Sequence, residues 1–171
     1  NVTTFVGTGT AGFFDGPRLQ ARLNSPTALV FDTSGNLFIA DSSNYRIRKV
    51  DANGDVSVYA GGTATGTADG SLTNARFGSS VTHLLFDNVG NLYVCDSSNH
   101  RIRMITPAGV VSTLAGTTGG FLDGVGTGAR LYYPRALAIG PNGNLYVADQ
   151  YNDRIRMVNL GVTNFAQVTT V

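Results

Sequence analysis

Three aspartates in this 171-residue chain stand in a pattern that could do chemistry. Each one ends an apolar run and is followed five positions later by an arginine. Three acids gathered at one place would bind a metal ion, whereas an acid opposite an arginine forms an ion pair that lets both side chains enter a packed sheet. The repeated arginine favours the second interpretation, a structural ion pair. The three pairs are Asp41 with Arg46, Asp96 with Arg101, and Asp149 with Arg154.

Other residues that could support catalysis are few. A catalytic zinc site takes three protein ligands, commonly histidines, and this chain has two histidines, His83 and His100. Its single cysteine, Cys95, lies in an apolar run and is predicted to be a small buried packing residue. The glycine-rich segments lack the lysine of a phosphate loop, and no serine stands in a glycine-flanked elbow. We therefore predict no catalytic residue, no cofactor and no metal.

The aspartates belong to a longer unit that occurs three times. The copies begin with Gly-Asn-Leu at Gly35, Gly90 and Gly143, a spacing of 90 − 35 = 55 and 143 − 90 = 53 residues. A glycine fixed at this point of a turn predicts a positive φ angle. Each copy also places an asparagine in the next turn, predicted to close it by a hydrogen bond from side chain to backbone. These asparagines are Asn44, Asn99 and Asn152.

Each unit is predicted to contain four short strands. In the first unit these are residues 27–31, 37–41, 46–50 and 56–60. The second strand is apolar on both faces, which predicts that it is sandwiched between neighbouring sheets. A polar, glycine-rich connector then leads to the next unit, and one large apolar residue in each connector is predicted to anchor it to the core. These anchors are Leu23, Phe77 and Leu131.

The motif Gly-Asn-Leu-Tyr-Val-Ala-Asp-x-x-Asn-x-Arg-Ile-Arg, found at residues 143–156 and in two related copies, resembles the NHL repeat. The resemblance implies an all-β fold, a β-propeller of four-stranded antiparallel blades. Propellers have four to eight blades, so three blades are expected to form part of a larger propeller or repeat array. The resemblance also implies two possible activities, since some NHL-type propellers are amidating lyases with an axial zinc and others bind RNA.

The repeat divides the chain into a leading strand and three blades. Residues 2–7 match residues 111–116, and residues 1–7 are therefore predicted to be the outer strand of a preceding blade. The last outer strand is predicted at either 162–166 or 168–171. Because the chain begins at Asn1 without an initiator methionine, we expect it to be an excerpt or a processed product. The three blades, each with its leading connector, span residues 8–60, 61–115 and 116–171.

Composition narrows the function classes. The net charge is +1 and charged residues make up 13% of the chain, which gives no electrostatic case for nucleic acid. No apolar run is long enough to span a membrane. Few charges with many threonines, serines and asparagines are typical of exported proteins, so we expect an extracellular or cell-surface location. Asn1 begins an Asn-x-Thr sequon, which permits glycosylation.

The sequence favours a non-catalytic interaction or structural module. Its expected partners are other copies of the repeat unit or further blades of a longer chain, with a protein or glycan ligand also compatible with its loops. Such a module would assemble by blade or strand completion and could extend into filaments. The alternatives are a propeller enzyme of the amidating-lyase or hydrolytic type with an axial metal and, less favoured, an RNA-binding module.

Overall fold

The computed structural model describes residues 1–161 and 166–171 and contains three antiparallel sheets, one from each repeat. In each sheet the four main strands follow one another in space in chain order, and a short strand from the connector is added at the outer edge. We call the three sheets blade 1, blade 2 and blade 3. The all-β prediction is therefore confirmed.

The strands have closely similar bounds in the three blades. Blade 1 contains β1 (Gly16–Pro17), β2 (Pro26–Phe31), β3 (Leu37–Asp41), β4 (Arg46–Val50) and β5 (Asp55–Gly61). Blade 2 contains β6 (Gly70–Ser71), β7 (Val81–Phe86), β8 (Leu92–Asp96), β9 (Arg101–Ile105) and β10 (Val110–Ala115). Blade 3 contains β11 (Gly124–Val125), β12 (Pro134–Ile139), β13 (Leu145–Asp149), β14 (Arg154–Asn159) and β15 (Gln167–Thr170). Short 3-10 turns lie at Ser42–Asn44, Ser97–Asn99, Gly126–Gly128 and Gln150–Asn152.

The second main strand of each blade shows why the sequence stacks as sheets. All five residues of β3 and of β8 are buried, because the strand carries apolar residues on both faces and each face meets other apolar groups. In β13 burial alternates instead, although the residue types are the same. Blade 2 lies between two blades, whereas blades 1 and 3 each have one neighbouring blade within the described residues. In blade 1 Val6 and Leu23 pack against Leu37 and Ile39 and keep the outer face of β3 buried.

The connectors contain a fifth strand that the sequence prediction omitted. The two-residue strands β1, β6 and β11 pair antiparallel with β5, β10 and β15, the outermost of the main strands. Two residues are too few to show an alternating apolar pattern, so periodicity could not reveal them. These short strands pair with part of the outermost main strand of each sheet. They therefore reduce the number of unpaired backbone N–H and C=O groups at the outer edge.

The two ends of the chain differ in how far they match the prediction. Residues 2–6 form no strand in the structure, but the Gly7 N–H donates to the Arg18 carbonyl at 2.7 Å, as the Gly61 N–H does to Leu72. The role of residues 1–7 as an outer strand of another blade stays a prediction. At the other end β15 completes blade 3, with Val158 opposite Val168. Of the alternative strand at 162–166, only Ala166 lies among the described residues.

No helix among residues 1–161 and 166–171 has the length and apolar character needed to cross a membrane.

Candidate functional site

The charged motif forms a buried clamp in each blade, and its central residue is the second arginine of Arg-Ile-Arg. In blade 2 the fully buried Arg103 donates from Nη1 to Asp96 Oδ2 at 3.2 Å and from Nη2 to Asp69 Oδ1 at 2.6 Å. Asp96 belongs to the blade and Asp69 to the connector, so one guanidinium ties the two together. Blades 1 and 3 repeat the arrangement with Arg48 between Asp41 and Asp15, and Arg156 between Asp149 and Asp123.

Backbone carbonyls complete each clamp. Arg103 also donates to the carbonyls of Arg76 and Ala68, both at 2.8 Å, and both acceptors belong to the connector. Burying an arginine is costly unless its charge is paired and its donors are bonded. Here two carboxylates and two carbonyls accept from the two Nη atoms, and the buried Nε is left without a partner among the described residues. The clamp is therefore architectural: it fastens the long connector to the blade.

The predicted pairing partners were wrong by two residues. The register places Asp41 opposite Arg46, as expected, and the same holds in the other blades. However, the Arg46 guanidinium lies 4.1 Å from the centre of the Phe13 ring near the surface. Alternate residues of a strand share a face, and Arg48, deeper in the sheet, is the one that reaches the buried carboxylate. Arg101 and Arg154 are likewise displaced from the predicted pairs by Arg103 and Arg156.

The predicted turn residues have partly different roles from those expected. Gly35, Gly90 and Gly143 have φ angles of 82°, 90° and 76°, which confirms the predicted positive φ. The Asn44 amide donates to the Gly12 carbonyl and to Asp41 Oδ2, each at 2.8 Å. It therefore binds the turn to the connector and orients the clamp carboxylate, rather than closing the turn on itself. Asn99 and Asn152 make the equivalent bonds.

The single cysteine and the two histidines belong to no candidate metal-binding group among the described residues. Cys95 is fully buried between blades 2 and 3, and burial raises the pKa of its thiol to about 12, consistent with a packing role. His83 lies on the first main strand of blade 2, opposite Cys95 in the register. Among the described residues no group of three or more histidine, cysteine, aspartate or glutamate side chains could hold a metal ion. The absence of catalytic residues stays a prediction, as does glycosylation of the exposed Asn1.

We expect acid to destabilise the chain through His83. Its Nδ1 is buried without a partner among the described residues, and burial lowers its pKa. The unfolded chain takes up the proton near pH 6.5 and the folded chain only at lower pH, so stability is lost as the pH falls from the unfolded pKa through the folded one. His83→Ala introduces the residue found in both sister repeats, Ala28 and Ala136. Denaturant unfolding should show the variant gaining stability relative to wild type below about pH 6.5; a difference that does not vary with pH would contradict this.

Two large apolar faces, one at each end of the stack, form the main candidate interaction site. On blade 1 the Leu29 side chain is 66% exposed, whereas its counterparts Leu84 and Leu137 are 2% and 6% exposed. On blade 3 Ile155 is 50% exposed, whereas Ile47 and Ile102 are fully buried. In each case the buried counterparts are covered by the neighbouring blade. The same residue type therefore changes from buried to exposed only because of its place in the stack.

The open face of blade 1 is a groove rather than a flat surface. A groove of about 430 Å³ runs over this face, between the leading segment and β2 and β3. Phe5, Leu23, Leu29 and Ile39 are among the residues that line it. On blade 2 the equivalent face is packed against blade 1, where Phe77 and Leu84 are buried in one cluster with Ile47. The groove thus lies on the face that, in blade 2, is covered by the preceding blade of the same chain.

Polar contacts add specificity where blades meet. The Ser42 hydroxyl donates to the Val81 carbonyl at 3.2 Å and accepts from the Val81 N–H at 3.3 Å. Thr82 donates to the Pro134 carbonyl at 3.3 Å. Blade 3 carries longer donors at the equivalent positions, Arg135 in place of threonine and Gln150 in place of serine, and both are exposed.

Sequence comparisons identify the repeat. The NHL repeat family profile matches residues 131–156, which contain the third copy of the motif. Protein SUPPRESSOR OF QUENCHING 1, chloroplastic, of Arabidopsis thaliana is 42% identical over 90 residues, covering 52% of this chain and 8% of that protein. NHL repeat-containing protein 2 of Bos taurus is 38% identical over 97 residues, covering 55% of this chain and 13% of that protein. The chain therefore spans only a small part of either relative.

Solved structures share the architecture. An auxiliary nutrient binding protein from Bacteroides thetaiotaomicron matches with a TM-score of 0.66 at 23% identity, covering 83% of this chain and 36% of that one. Virginiamycin B lyase from Staphylococcus aureus matches with a TM-score of 0.58 at 16% identity, covering 85% and 40%. Likeness at this level of identity shows the fold alone. The chain therefore has β-propeller-type blades, and its third repeat, at residues 131–156, matches the NHL repeat family.

Proposed function

We propose that this chain is a non-catalytic assembly module whose two open blade faces bind further blades of the same type, supplied by another copy of the chain. The observation that carries the proposal is the exposure of Leu29 and Ile155 at positions whose counterparts are buried between blades. Exposed apolar area of this kind marks interaction surfaces. Two occupied interfaces within the chain define what such a partner must look like.

The open faces are complementary in residue type to each other. The face of blade 3 presents Tyr146, Ala148 and Ile155, where blade 1 presents Phe38, Ala40 and Ile47 to blade 2. The face of blade 1 presents Leu29 and Leu37, where blade 2 presents Leu84 and Leu92 to blade 1. Blade 3 of one copy therefore carries the side chains that blade 1 of the next copy would bury.

The polar donors of blade 3 are compatible with the same contact. At the interfaces within the chain, the hydroxyls of Ser42 and Thr82 donate to the carbonyl of the first residue of the next blade's first main strand. These acceptors are Val81 on β7 and Pro134 on β12. Arg135 and Gln150 would instead bond the carbonyl of Pro26 on the following copy. A contact between two different faces is heterologous, so it generates a closed ring if the rotation closes and a filament if it does not. Two copies would supply six blades, within the range of known propellers.

Two further aspects of the proposal concern role and location. A non-catalytic role is supported by the clamps, which use the repeated aspartates in buried ion pairs. An extracellular or surface location is supported by a composition with 13% charged residues and a polar fraction dominated by uncharged side chains. Binding to RNA is disfavoured by a net charge of +1.

We expect the wild-type chain to self-associate and the variant Ile155→Glu to be monomeric. A glutamate in the blade interface would place an unpaired charge among apolar groups, which should weaken association by at least about 100-fold. Sedimentation velocity over a concentration series measures this directly, against a monomer mass of 17.9 kDa.

Val89→Glu provides the matched control. Val89 is 69% exposed but lies in the turn between β7 and β8, away from both open faces. The control should associate like wild type. A wild-type chain that remains monomeric at every concentration, or an Ile155→Glu variant that associates as well as wild type, would overturn the proposal.

A further inference from the structure

A cluster of four aromatic rings lies where blade 2 meets blade 3, on the side of the connectors. The rings of Tyr132, Tyr133 and Tyr151 have centroids 5.0–5.5 Å apart. His100 of blade 2 completes the cluster, 4.5 Å from Tyr133. Tyr132 and Tyr151 remain 39% and 59% exposed. We call these four residues the tyrosine platform.

The fold does not need aromatic rings at these positions. The Tyr132 N–H donates to the clamp residue Asp149, and the equivalent bond is made by Asn24 in repeat 1 and by Gly78 in repeat 2. The Tyr151 N–H donates to the Tyr132 carbonyl. The equivalent donors are Ser43 and Ser98. Repeats 1 and 2 thus make corresponding bonds with smaller residues, with Ser80 rather than Gly78 as the carbonyl acceptor in repeat 2, so these bonds do not require tyrosine rings.

The rings are held in place before any ligand arrives. Tyr133 has a φ angle of 50°, a conformation that bulky residues rarely adopt, and its N–H donates to His100 Nδ1 at 3.2 Å. The mutual tilts of the three tyrosine rings lie between 49° and 67°. Tyrosine has few rotatable bonds, so such a surface loses little conformational entropy on binding.

The platform is uncharged and amphipathic. Burial lowers the pKa of His100, so the imidazole is neutral at pH 7. The nearest clamp carboxylate, Asp149, is already bonded to Arg156. Among the described residues the three phenolic hydroxyls have no protein partner, so they are free to bond a ligand. Ring faces with hydroxyl groups at their edges favour a ligand that is apolar on one face and rich in hydroxyls at its rim.

From this geometry we propose that the tyrosine platform binds a neutral oligosaccharide. A pyranose ring presents C–H groups on its face, which pack on an aromatic ring, and hydroxyls around its rim, which exchange hydrogen bonds with phenols and with the His100 Nε2–H. Peptide-binding surfaces use a sheet edge, an apolar groove, an aromatic-lined slot or a charged cluster. The platform is an open surface on turns and connectors and has none of these features.

The experiment titrates the whole chain with soluble neutral hexasaccharides: cellohexaose, xylohexaose, mannohexaose and maltohexaose. The chain has no tryptophan, and three of its seven tyrosines belong to the platform. Binding there is followed by tyrosine fluorescence, and the platform variants below separate its signal from that of the other four tyrosines. At least one of the four sugars should give a saturable change with a dissociation constant of about 1 mM. The constant should change less than about twofold between low and high salt, because no charges are involved.

The decisive variants introduce the residues of the sister repeats. Tyr151→Ser and Tyr132→Asn should each weaken sugar binding at least about tenfold, with the folded state verified by circular dichroism. Tyr45→Asp is the matched control, since blade 3 has Asp153 at that position, and it should bind like wild type. Decaproline is titrated in parallel. The proposal is overturned if no sugar binds, if both variants bind sugar as well as wild type, or if decaproline alone binds. Ile155→Glu should bind sugar normally, which separates this test from that of assembly.

Discussion

Replacing Asp96 with alanine is expected to lower the free energy of unfolding by about 3–5 kcal/mol, the range found when one partner of a buried ion pair is removed. Asp96 is fully buried and accepts from Arg103 Nη1, from the Asn99 amide at 2.9 Å and from the Gly78 N–H at 2.9 Å. The substitution leaves three donors without this acceptor, one of them on a buried cation. Urea unfolding followed by circular dichroism measures the loss.

Arg101→Ala is the control for this substitution. Arg101 faces Asp96 directly in the register of β8 and β9, yet it belongs to no clamp and donates to the Thr67 carbonyl in a partly exposed position. Its removal should therefore cost less than about 1 kcal/mol. Both variants are best measured in the Ile155→Glu background, so that association does not contribute to the apparent stability. Equal losses for the two variants would place the buried charge on Arg101 and contradict the clamp.

The difference between Arg101 and Arg103 also shows how far the sequence could predict the site. Pattern and spacing correctly predicted the repeat, the four main strands of each blade and the register that sets Asp96 opposite Arg101. They could not give the depth at which each side chain lies. Two arginines two residues apart share a face, and only packing by the connector, through Asp69 and the carbonyls of Ala68 and Arg76, selects the inner one.

The connectors were the least predictable part of the chain for a physical reason. Their conformation depends on contacts with residues far away in the sequence, such as Gly78 with Asp96, 18 positions apart, and Asp123 with Thr170, 47 positions apart. Local propensity does not encode contacts at that distance. The sequence does contain one signal for these contacts. Each connector carries an aspartate before a glycine, Asp15, Asp69 and Asp123, in step with the buried arginine. A charged residue repeated in phase with another is a candidate partner for it.

The tyrosine platform illustrates a different limit of sequence reasoning. Tyr132 and Tyr151 are far apart in sequence and stand out only when the repeats are aligned position by position, because their counterparts are small. The repeat motif consists of the residues that the three copies share, whereas the tyrosines of the platform differ from their counterparts in the other two copies. In a repeat protein, shared residues build the blades, and residues found in one copy alone are where binding specificity is expected.

The last prediction compares two leucines at equivalent positions. Leu131→Ala is expected to cost about 2–5 kcal/mol, because the side chain is fully buried in the cluster between blades 2 and 3 and its loss leaves a cavity. Leu23→Ala should cost at least about 1 kcal/mol less in the dilute monomer, because Leu23 is only partly buried and lines the open groove of blade 1. Urea unfolding at low concentration measures both.

Measuring both variants over a range of protein concentrations tests the proposed contact between blade 3 of one copy and blade 1 of the next. If blade 3 of a second copy covers Leu23, self-association stabilises the wild-type chain by mass action, and the cost of Leu23→Ala should rise with protein concentration toward that of Leu131→Ala. The cost of Leu131→Ala should stay constant, since its cavity lies inside one chain. A Leu23→Ala cost that does not change while the chain demonstrably associates would mean that association uses another surface. A Leu23→Ala cost equal to that of Leu131→Ala in the monomer would mean that the groove is already closed by residues of the same chain.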